Sequence, residues 1–561
     1  MAAKNKIKIQ SPENYDRFID DKERRNKGQF YTPKLFADYA HKMISEELGN
    51  NWKDEYVVWD NCCGTKNLTR DYKFKELYCS TLEKDELDIS AQFNPEAESF
   101  VFDFLNEPIA GRDCLSGVYD DKLPKGLKDA LLQNKPFVFL LNPPYGKPTG
   151  AGGKLDAGVS DTLVKKQMQK EKIDGSEFIN QFLWRIIDIK RKFNLTNLYI
   201  ACFTKPTWLI KSQAIKFREL FLNNFEYQKG IMFCAGEFAD VSSAWGITFN
   251  IWKSGNSKDK NNFTHQLIEN NNGEIKIIGD KVLCNFDGQN VKSTYKFISE
   301  KLVGKKHKEK IVYCKDIKKF EFAVDYANIY DEYISTIKCS GNDIQGNSFT
   351  CIRNVFPKGL PGRPGLPNTI QLTKKNIFES CIVHSIKTII TTNWVIDKDM
   401  YNMNVDIPIS FRNDAFVYSI FGNYCCSVKI GNDQLKNEFF WMSKSEIESL
   451  ALKYDNDYCY NDVQSSSERF VYEKLQTITL SPEAQAVLDK ANDIVRKTFK
   501  YRTQFNKEHT EYQINNWDCG FYQIKKLCKE YMPELLKEFK EVYKVLADKM
   551  RPMVYEIGFL K

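Results

Sequence analysis

The sequence predicts an α/β protein whose centre is a doubly wound, mostly parallel sheet. Between about residues 28 and 255, short apolar runs with the composition of buried strands alternate with amphipathic stretches of helical spacing. Such alternation indicates parallel pairing, because two parallel strands must be joined by a crossover. Polar residues follow several of these runs directly. Ligands of open α/β sheets bind beyond the carboxyl ends of the strands, so these polar residues form the candidate site.

Five segments have the composition of buried strands. They are VVWD (57–60), ELYCSTL (76–82), SFVFDF (99–104), PFVFLL (136–141) and LYIACF (198–203). Between the last two lies EFINQFLWRIIDIKRKF (177–193), whose apolar residues recur at the spacing of an amphipathic helix. Residues 256–310 are rich in Asn, Lys and Asp, which predicts hairpins and a linker.

The remainder of the chain is predicted to be mixed up to about residue 470 and helical over 481–550. The loop FPKGLPGRPGLPN (356–368) contains four prolines and three glycines, which exclude regular structure there. Ser481 is the expected N-cap of a long helix, since Pro482 and Glu483 follow it in the first turn.

Composition excludes several classes of protein. The chain is 42% hydrophobic, which is enough for a large core and excludes global disorder. No run approaches the ~18 apolar residues of a membrane span, so no membrane association is expected. The start lacks an apolar signal region and the cysteines lack an export context, which favours a cytoplasmic protein with reduced thiols. The five histidines are scattered and no C-x-x-C occurs, so no metal site is expected.

The segment with the clearest chemistry is Asn142-Pro143-Pro144-Tyr145, directly after the predicted strand PFVFLL. Two prolines fix φ and remove two N–H donors, so the Asn142 side chain stands on a rigid turn. Its amide oxygen can accept a hydrogen bond from an amine, and the Pro143 carbonyl is a second acceptor. Tyr145 is expected to be exposed and to offer a π-face on which a base can stack. These residues are therefore the expected catalytic group.

This tetrapeptide resembles the catalytic motif of amino-group methyltransferases, and further segments resemble the gamma class of N6-adenine DNA methyltransferases, as found in type IIG restriction–modification and phage enzymes. Gly28–Pro33 (GQFYTP) looks like the G-x-x-Y-T-P motif that holds the methionine end of S-adenosylmethionine. Asp60–Leu68 (DNCCGTKNL) resembles the D-P-A-C-G-T-G-N-F loop. The resemblance implies a Rossmann-like methyltransferase sheet with S-adenosylmethionine as cofactor. The implied cofactor-binding residues are Tyr31, Thr32, Pro33, Asp60, Cys62, Gly64, Glu83, Asp103, Phe104 and Asn142.

Two departures from the family pattern fall in the loop after the first strand. The family's second glycine is Lys66 here, and its proline is Asn61. A glycine at that point lets the backbone turn tightly. The Lys66 side chain is expected either to crowd the cofactor, which would weaken or abolish activity, or to run along the solvent.

The resemblance also implies the organisation of the chain and its partners. The predicted parts are an N-terminal arm (1–27), a catalytic domain (28–310), a target-recognition domain (311–480) and a helical C-terminal region (481–561). Double-stranded DNA is the expected partner, which a net charge of +7 permits, and restriction-system subunits are further candidates. DNA backbone contacts are expected from lysines and arginines, including those of the C-terminal helices, for example Arg496, Lys497, Lys500 and Arg502.

Two other functions remain open on the sequence. Asn-Pro-Pro-Tyr also occurs in enzymes that methylate RNA bases or protein glutamines. A DNA-binding protein with a degenerate, non-catalytic methylase fold is the other alternative, and Lys66 is the residue that favours it.

Overall fold

A computed structural model divides the chain into two compact units, Met1–Gly288 with Asn393–Ile396, and Gln289–Thr392 with Asp397–Lys561. The structure describes residues 32–110, 122–145, 162–210, 214–238, 245–285 and 394–395 of the first unit. In the second it describes 323–324, 333–338, 351–353, 369–373, 377–390, 401–422, 428–430, 434–436, 440–454, 468–509, 514 and 521–560. The predicted arm (1–27), Tyr31 and the loop 356–368 lie outside these residues. The predicted domain limits at 28–310, 311–480 and 481–561 stay predictions.

The first unit is built on a nine-stranded sheet. Its strands are β1 (Val57–Asp60), β2 (Leu77–Thr81), β3 (Glu98–Val101), β4 (Phe137–Leu141), β5 (Leu198–Thr204), β6 (Phe225–Cys234), β7 (Gly246–Ser254), β8 (Asn262–Asn271) and β9 (Glu274–Cys284). The five sequence-predicted strands coincide with β1 to β5 to within a few residues. The hairpin predicted after residue 256 is β8 and β9, which pair antiparallel.

The strand order is β3-β2-β1-β4-β5-β7-β6-β8-β9. Strands β1 to β5 pair in parallel, whereas β7 runs antiparallel between β5 and β6. The chain thus winds outward from β1 in one direction and then, from β4, in the other. This topology confirms the predicted α/β, doubly wound, Rossmann-like class.

The helices described in the first unit precede β1 or connect the strands that follow it. They are α1 (Lys34–Leu48), α2 (Trp52–Glu55), α3 (Lys84–Ile89), α4 (Lys125–Leu132), α5 (Leu163–Lys170), α6 (Phe178–Phe193), α7 (Thr207–Ile210) and α8 (Ile215–Leu222). The predicted helix over 177–193 is α6, with Glu177 as its N-cap residue.

Both faces of the sheet are covered, which explains why the strands are apolar at consecutive positions. On one face, Phe36 of α1 stacks on Phe233 of β6 with ring centroids 4.2 Å apart. On the other, Trp59 of β1 packs edge-on against Phe104, which stacks in turn on Phe182 of α6. Each buried strand therefore contributes alternate side chains to two cores.

The third predicted strand differs from expectation in its burial. Residues 99–104 were predicted to form a buried strand, but β3 lies at the edge of the sheet and most of its residues are exposed. The apolar pattern of this segment is instead explained by Phe102 and Phe104, which follow the strand and are buried. Edge position is a property of the strand order, which local sequence does not encode.

The second unit contains two small sheets and a set of helices. The strands are β10 (Ala323–Val324), β11 (Tyr333–Lys338), β12 (Cys351–Arg353), β13 (Thr369–Thr373), β14 (Val428–Ile430) and β15 (Gln434–Lys436), in the orders β10-β14-β15 and β12-β11-β13. The helices are α9 (Ile377–Ile389), α10 (Ile409–Ile420), α11 (Lys444–Lys453), α12 (Phe470–Leu475), α13 (Pro482–Glu508), α14 (Phe521–Tyr531) and α15 (Pro533–Glu556).

The helical prediction for the C-terminal region is confirmed in α13, α14 and α15. Ser481 caps α13 as predicted, since its side chain accepts a hydrogen bond from the Ala484 N–H at 3.2 Å. The apolar faces of these helices form a core that contains Val487, Ile494 and Met550. No helix within the described ranges has both the length and the apolar character that crossing a membrane requires.

Candidate active site

Four of the predicted site residues lie at the carboxyl ends of parallel strands. Asp60 is the last residue of β1, and Asn142 directly follows β4. Glu83 and Asp103 follow the ends of β2 and β3. Since β1 and β4 are neighbours in the sheet, Asp60 and Asn142 project from adjacent strands. The sheet order therefore gathers, at one edge, residues that are far apart in sequence.

The Asn142 amide is held at both of its ends. Its Nδ2 donates to Thr32 Oγ1 at 2.9 Å, and its Oδ1 accepts from the Tyr145 hydroxyl at 2.7 Å. Thr32 is buried, and its backbone carbonyl accepts from Asn67 Nδ2 at 3.4 Å. Pro33 follows as the N-cap residue of α1. Three segments singled out from the sequence, around Thr32, Asn67 and Asn142, thus meet through side-chain hydrogen bonds.

Asp60 and Asn61 carry buried polar atoms without side-chain partners. Each side chain is about 1% exposed, and no side chain of the described residues forms a hydrogen bond with the carboxylate oxygens of Asp60 or the amide atoms of Asn61. Burial raises the pKa of Asp60 well above its usual value, and the backbone N–H of Cys62 and the nearby Lys66 ammonium oppose this increase. Buried polar groups are rarely left unpaired, so these atoms fit a polar ligand that donates and accepts hydrogen bonds here.

The loop after β1 turns close to Asn142. Gly64 has a φ of +48°, in the left-handed region that favours glycine. The Cys63 N–H donates to the Ser80 carbonyl at 2.9 Å, which ties the loop to β2. Burial raises the pKa of the Cys62 thiol, Asp60 acts in the same direction, and the backbone N–H of Asn142 opposes both. The Cys62 thiol is therefore neutral and lies close to the Asn142 backbone.

Lys66 is buried, and its side chain forms a hydrogen bond within the protein. Its φ is +61°, so it adopts the left-handed conformation that a glycine would adopt more easily. Its side chain is buried, and its Nζ donates to the Phe93 carbonyl at 3.0 Å. The expectation that the side chain runs along the solvent is therefore wrong. The Phe93 carbonyl, which sequence reasoning did not identify as a partner, directs the ammonium away from the solvent.

The segment after β2 carries two carboxylates. Glu83, the predicted one, is half-buried and is the N-cap residue of α3. Glu86, one turn later, is buried and accepts a hydrogen bond from the Thr81 hydroxyl. Its charge acts to raise the pKa of Cys62, so it lies close to the loop after β1. Sequence reasoning missed Glu86, although two acidic residues three positions apart at a helix start were a detectable signal.

Asp103 and Phe104 are both engaged within the protein. Asp103 Oδ1 accepts from the backbone N–H groups of Leu105 and Asn106, each at 3.0 Å, and its Oδ2 accepts from Asn106 Nδ2 at 2.8 Å. Phe104 is buried and its ring packs between Trp59 and Phe182. In this arrangement Asp103 shapes the turn after β3, and Phe104 belongs to the core beneath it.

Tyr145 is buried, contrary to the expectation that it is exposed. Only 8% of its surface is accessible, and burial raises the pKa of its hydroxyl well above the usual value. Its ring meets Trp245 edge-on with centroids 5.8 Å apart. The hydroxyl is turned inward because Asn142 Oδ1 offers it an acceptor.

Lys205 is a neighbour of this site that the sequence did not point out. It follows β5, and its Nζ donates to the Tyr145 carbonyl at 2.7 Å. The same ammonium lies 4.9 Å from the ring centroid of Trp245. Trp208, near this site in the sequence, is buried in the core.

The basic residues expected to contact DNA differ in their accessibility. Arg502 is fully buried and donates to Thr498 Oγ1, so the expectation that it contacts a DNA backbone is wrong. Arg496 pairs with Glu446 at 2.6 Å, and Lys497 pairs with Asp493 at 2.9 Å. The helical periodicity of α13 places Arg502 on the inward face.

Comparisons with known proteins give matches only among solved structures. No protein-family model and no curated protein matches the sequence. The methyltransferase subunit of a type I restriction–modification system from Streptococcus thermophilus is 15% identical, with 44% of this chain and 50% of that chain covered and a TM-score of 0.28. The type IIG restriction endonuclease BpuSI is 13% identical, with 46% and 31% covered and a TM-score of 0.30. The ATP-dependent Type ISP restriction–modification enzyme LlaBIII, bound to DNA, is 15% identical, with 43% and 20% covered and a TM-score of 0.29.

This chain is similar to these proteins over less than half of its own length. It spans half of the first protein and less than a third of the other two.

Proposed function

We propose that this chain is a site-specific DNA methyltransferase that transfers a methyl group from S-adenosylmethionine to N6 of an adenine. The observation that carries the proposal is the position of the Asn142 amide. It stands at the end of β4, bonded to Thr32, on the strand next to the unpaired polar atoms of Asp60 and Asn61. An acceptor beside buried polar atoms that can bind a cofactor suits the transfer of a group to an amine.

The residues around the loop after β1 fit the proposed cofactor. S-adenosylmethionine, when bound, supplies a sulfonium methyl group to a nucleophile. The unpaired atoms of Asp60 and Asn61 are the natural partners for its polar groups, and Glu83 at the start of α3 would bind the ribose hydroxyls. Gly64 gives the loop the left-handed backbone that a close approach requires.

Asn142 would bind the amine that receives the methyl group. Its Oδ1 accepts a hydrogen bond from Tyr145, and an amide oxygen is also the kind of acceptor that an amine donor requires. The Pro143 carbonyl would be the second acceptor. An adenine inside a duplex cannot reach this group, so the base would flip out of the stack. No strong general base is required, because the amine can lose its proton after the methyl group arrives.

The rest of the chain would supply DNA recognition. We assign sequence readout to residues 311–480, including the loop 356–368, and backbone contacts to basic residues of the helical region 481–561. Arg496, Lys497 and Lys500 are the candidates that remain once the buried Arg502 is set aside. Restriction-system subunits are the proposed protein partners, and the cytoplasm of a bacterial or phage-infected cell is the proposed location.

The position of Lys66 bears on the non-catalytic alternative. That alternative rests on a lysine that crowds the cofactor, whereas the Lys66 ammonium is bonded to the Phe93 carbonyl. This contact supports the catalytic proposal. RNA and protein glutamine remain alternative substrates, because Asn142 would bind their amino groups in the same way.

Methyl transfer from labelled S-adenosylmethionine to unmethylated genomic DNA tests the proposal. Wild-type protein is compared with Asn142→Ala, and Asn223→Ala serves as a matched control. Asn223 is an exposed asparagine after α8 that bonds Lys260. We expect incorporation with the wild-type and control proteins, and a loss of at least about 100-fold in Asn142→Ala with cofactor binding retained. Long-read mapping of N6-methyladenine then identifies the target sequence.

Each other outcome contradicts a different part of the proposal. Incorporation into RNA or protein, and none into DNA, would replace the substrate. Absence of both transfer and cofactor binding would favour the non-catalytic DNA-binding alternative. Equal loss of cofactor binding and transfer in Asn142→Ala would refute the role given to Asn142.

A further inference from the structure

We propose that Lys205 is a positioning residue that holds the Asn-Pro-Pro-Tyr turn and thereby orients the Asn142 amide. Its contacts are the Tyr145 carbonyl and the rings of Tyr145 and Trp245. The expected effect of Lys205 on the rate of methyl transfer rests on the proposed function. Its effect on the rigidity of the turn can be measured in a protein without activity.

The Asn-Pro-Pro-Tyr segment has few backbone donors of its own. Pro143 and Pro144 have no N–H, so neither can donate a backbone hydrogen bond. Lys205 Nζ donates to the Tyr145 carbonyl at 2.7 Å, across 60 residues of sequence. A hydrogen bond from an ammonium is short and stronger than a neutral one. The turn is therefore fastened from the neighbouring strand, where Lys205 directly follows β5.

The ammonium of Lys205 is itself fixed by two aromatic rings. It lies 4.9 Å from the ring centroid of Trp245 and 5.7 Å from that of Tyr145. The two rings meet at 75° and form a corner around the ammonium. A cation within about 6 Å of an aromatic face is attracted to it, most strongly by tryptophan. The position of the Lys205 ammonium is thus determined by the two aromatic rings as well as by its hydrogen bond to the Tyr145 carbonyl.

These contacts constrain Tyr145 at three points. Its carbonyl accepts from Lys205, its ring packs against Trp245, and its hydroxyl donates to Asn142 Oδ1 at 2.7 Å. A shift of the Tyr145 backbone would move that hydroxyl and allow the Asn142 amide to rotate. Lys205 therefore acts on the reacting amine through Tyr145 and Asn142, without touching the amine itself.

The test replaces Lys205 by methionine, which keeps the length of the side chain and removes its charge and donors. Lys205→Arg is the conservative variant, since guanidinium also donates and stacks on aromatic rings. Lys190→Met is the matched control, because Lys190 Nζ lies 5.8 Å from the Phe225 ring, a similar cation–π pair of α6. Trp245→Leu is a second variant, which removes the larger ring and keeps the lysine.

Amide hydrogen exchange at Asn142 and Tyr145 is the first readout, in the protein without DNA. We expect exchange at these amides to become about tenfold faster in Lys205→Met and in Trp245→Leu, but not in Lys205→Arg or Lys190→Met. The second readout is methyl transfer. We expect kcat to fall on the order of tenfold or more in Lys205→Met, while KM for S-adenosylmethionine stays within about twofold.

Unchanged exchange in both Lys205→Met and Trp245→Leu would overturn the inference, as would a kcat loss of the same size in Lys190→Met. If Lys205→Met does not fold, Trp245→Leu and Lys205→Arg still provide the exchange comparison. If the wild-type protein transfers no methyl group to DNA, the proposed function fails, and the exchange measurement still supports or refutes the role of Lys205.

Discussion

Asn142 Nδ2 donates a hydrogen bond to Thr32 Oγ1 at 2.9 Å, joining two residues that are 110 positions apart in the chain. In this arrangement the amide nitrogen of Asn142 faces Thr32 and the amide oxygen faces the Tyr145 hydroxyl. An amide that rotated by 180° would present a donor in place of the acceptor. The orientation of the acceptor proposed for the substrate amine therefore depends on a residue from a different segment.

Thr32→Val is predicted to slow methyl transfer by about five- to tenfold, because a hydrogen bond contributes about 1 kcal/mol to holding the amide. Valine has nearly the same shape as threonine, so packing is kept. Steady-state kcat measures the effect, and Thr32→Ser, which retains the hydroxyl, should stay close to wild type. A Thr32→Val protein with unchanged kcat would show that the bond does not orient Asn142.

Tyr145→Phe is predicted to lower the free energy of unfolding by about 1 kcal/mol through loss of the bond to Asn142. Burial raises the pKa of the Tyr145 hydroxyl, so it stays neutral and contributes no ionisation to the activity. The pH profiles of kcat in Tyr145→Phe and wild type should thus coincide from about pH 7 to about pH 10. A wild-type ionisation in this range that the variant lacks would contradict this assignment.

Lys66→Gly removes two opposed contributions of Lys66 to the free energy of unfolding. A lysine at a φ of +61° costs about 1 kcal/mol relative to glycine, whereas the partly buried bond from its ammonium to the Phe93 carbonyl stabilises by about 1.5–3 kcal/mol. We expect Lys66→Gly to lower the free energy of unfolding by about 1 kcal/mol, measured by urea denaturation. Lys66→Asn is a useful comparison, since asparagine tolerates this backbone conformation. A more stable glycine variant would show that the strain outweighs the bond.

Asp60→Asn is predicted to raise stability and to weaken cofactor binding. Burial raises the pKa of Asp60 above 3.8, so the folded protein retains a proton that the unfolded chain releases. The contribution of Asp60 to the free energy of unfolding therefore falls as pH rises above about 4. Asparagine has no such dependence, so we expect a gain of about 1–3 kcal/mol at neutral pH without cofactor. Calorimetric titration with S-adenosylmethionine should show reduced affinity, and unchanged affinity would exclude Asp60 from the binding site.

Acid sensitivity is predicted from the buried His41. Burial lowers its pKa from 6.5 to about 3, while its Nε2 donates to the Leu68 carbonyl at 2.8 Å. His41 therefore binds a proton in the unfolded chain but not in the folded protein. The free energy of unfolding falls as pH decreases from about 6.5 toward 3. Between about pH 6.5 and pH 5, His41→Phe should lose roughly 2 kcal/mol less stability than wild type. Equal losses in urea denaturation would contradict this.

The sequence by itself determined the fold class and most of the elements of the sheet. Buried strands of a parallel sheet are continuous apolar runs, which can be recognised without knowledge of their neighbours. The positions of Asp60 and Asn142 at strand ends followed directly from those runs. The N-cap of α13 was equally readable, because a cap is an interaction within one turn.

Only the tertiary structure decided how the site residues are used. Four features depend on partners that are distant in sequence. They are the burial of Tyr145, the bond from Lys66 to the Phe93 carbonyl, the inward position of Arg502 and the exposure of β3. Lys205 became visible for the same reason, since nothing near it in the chain points to Tyr145. The apolar periodicity of a helix or strand reflects the average burial of its residues. The hydrogen-bonding partner of a single polar side chain depends instead on which helices and strands the sheet order places next to each other.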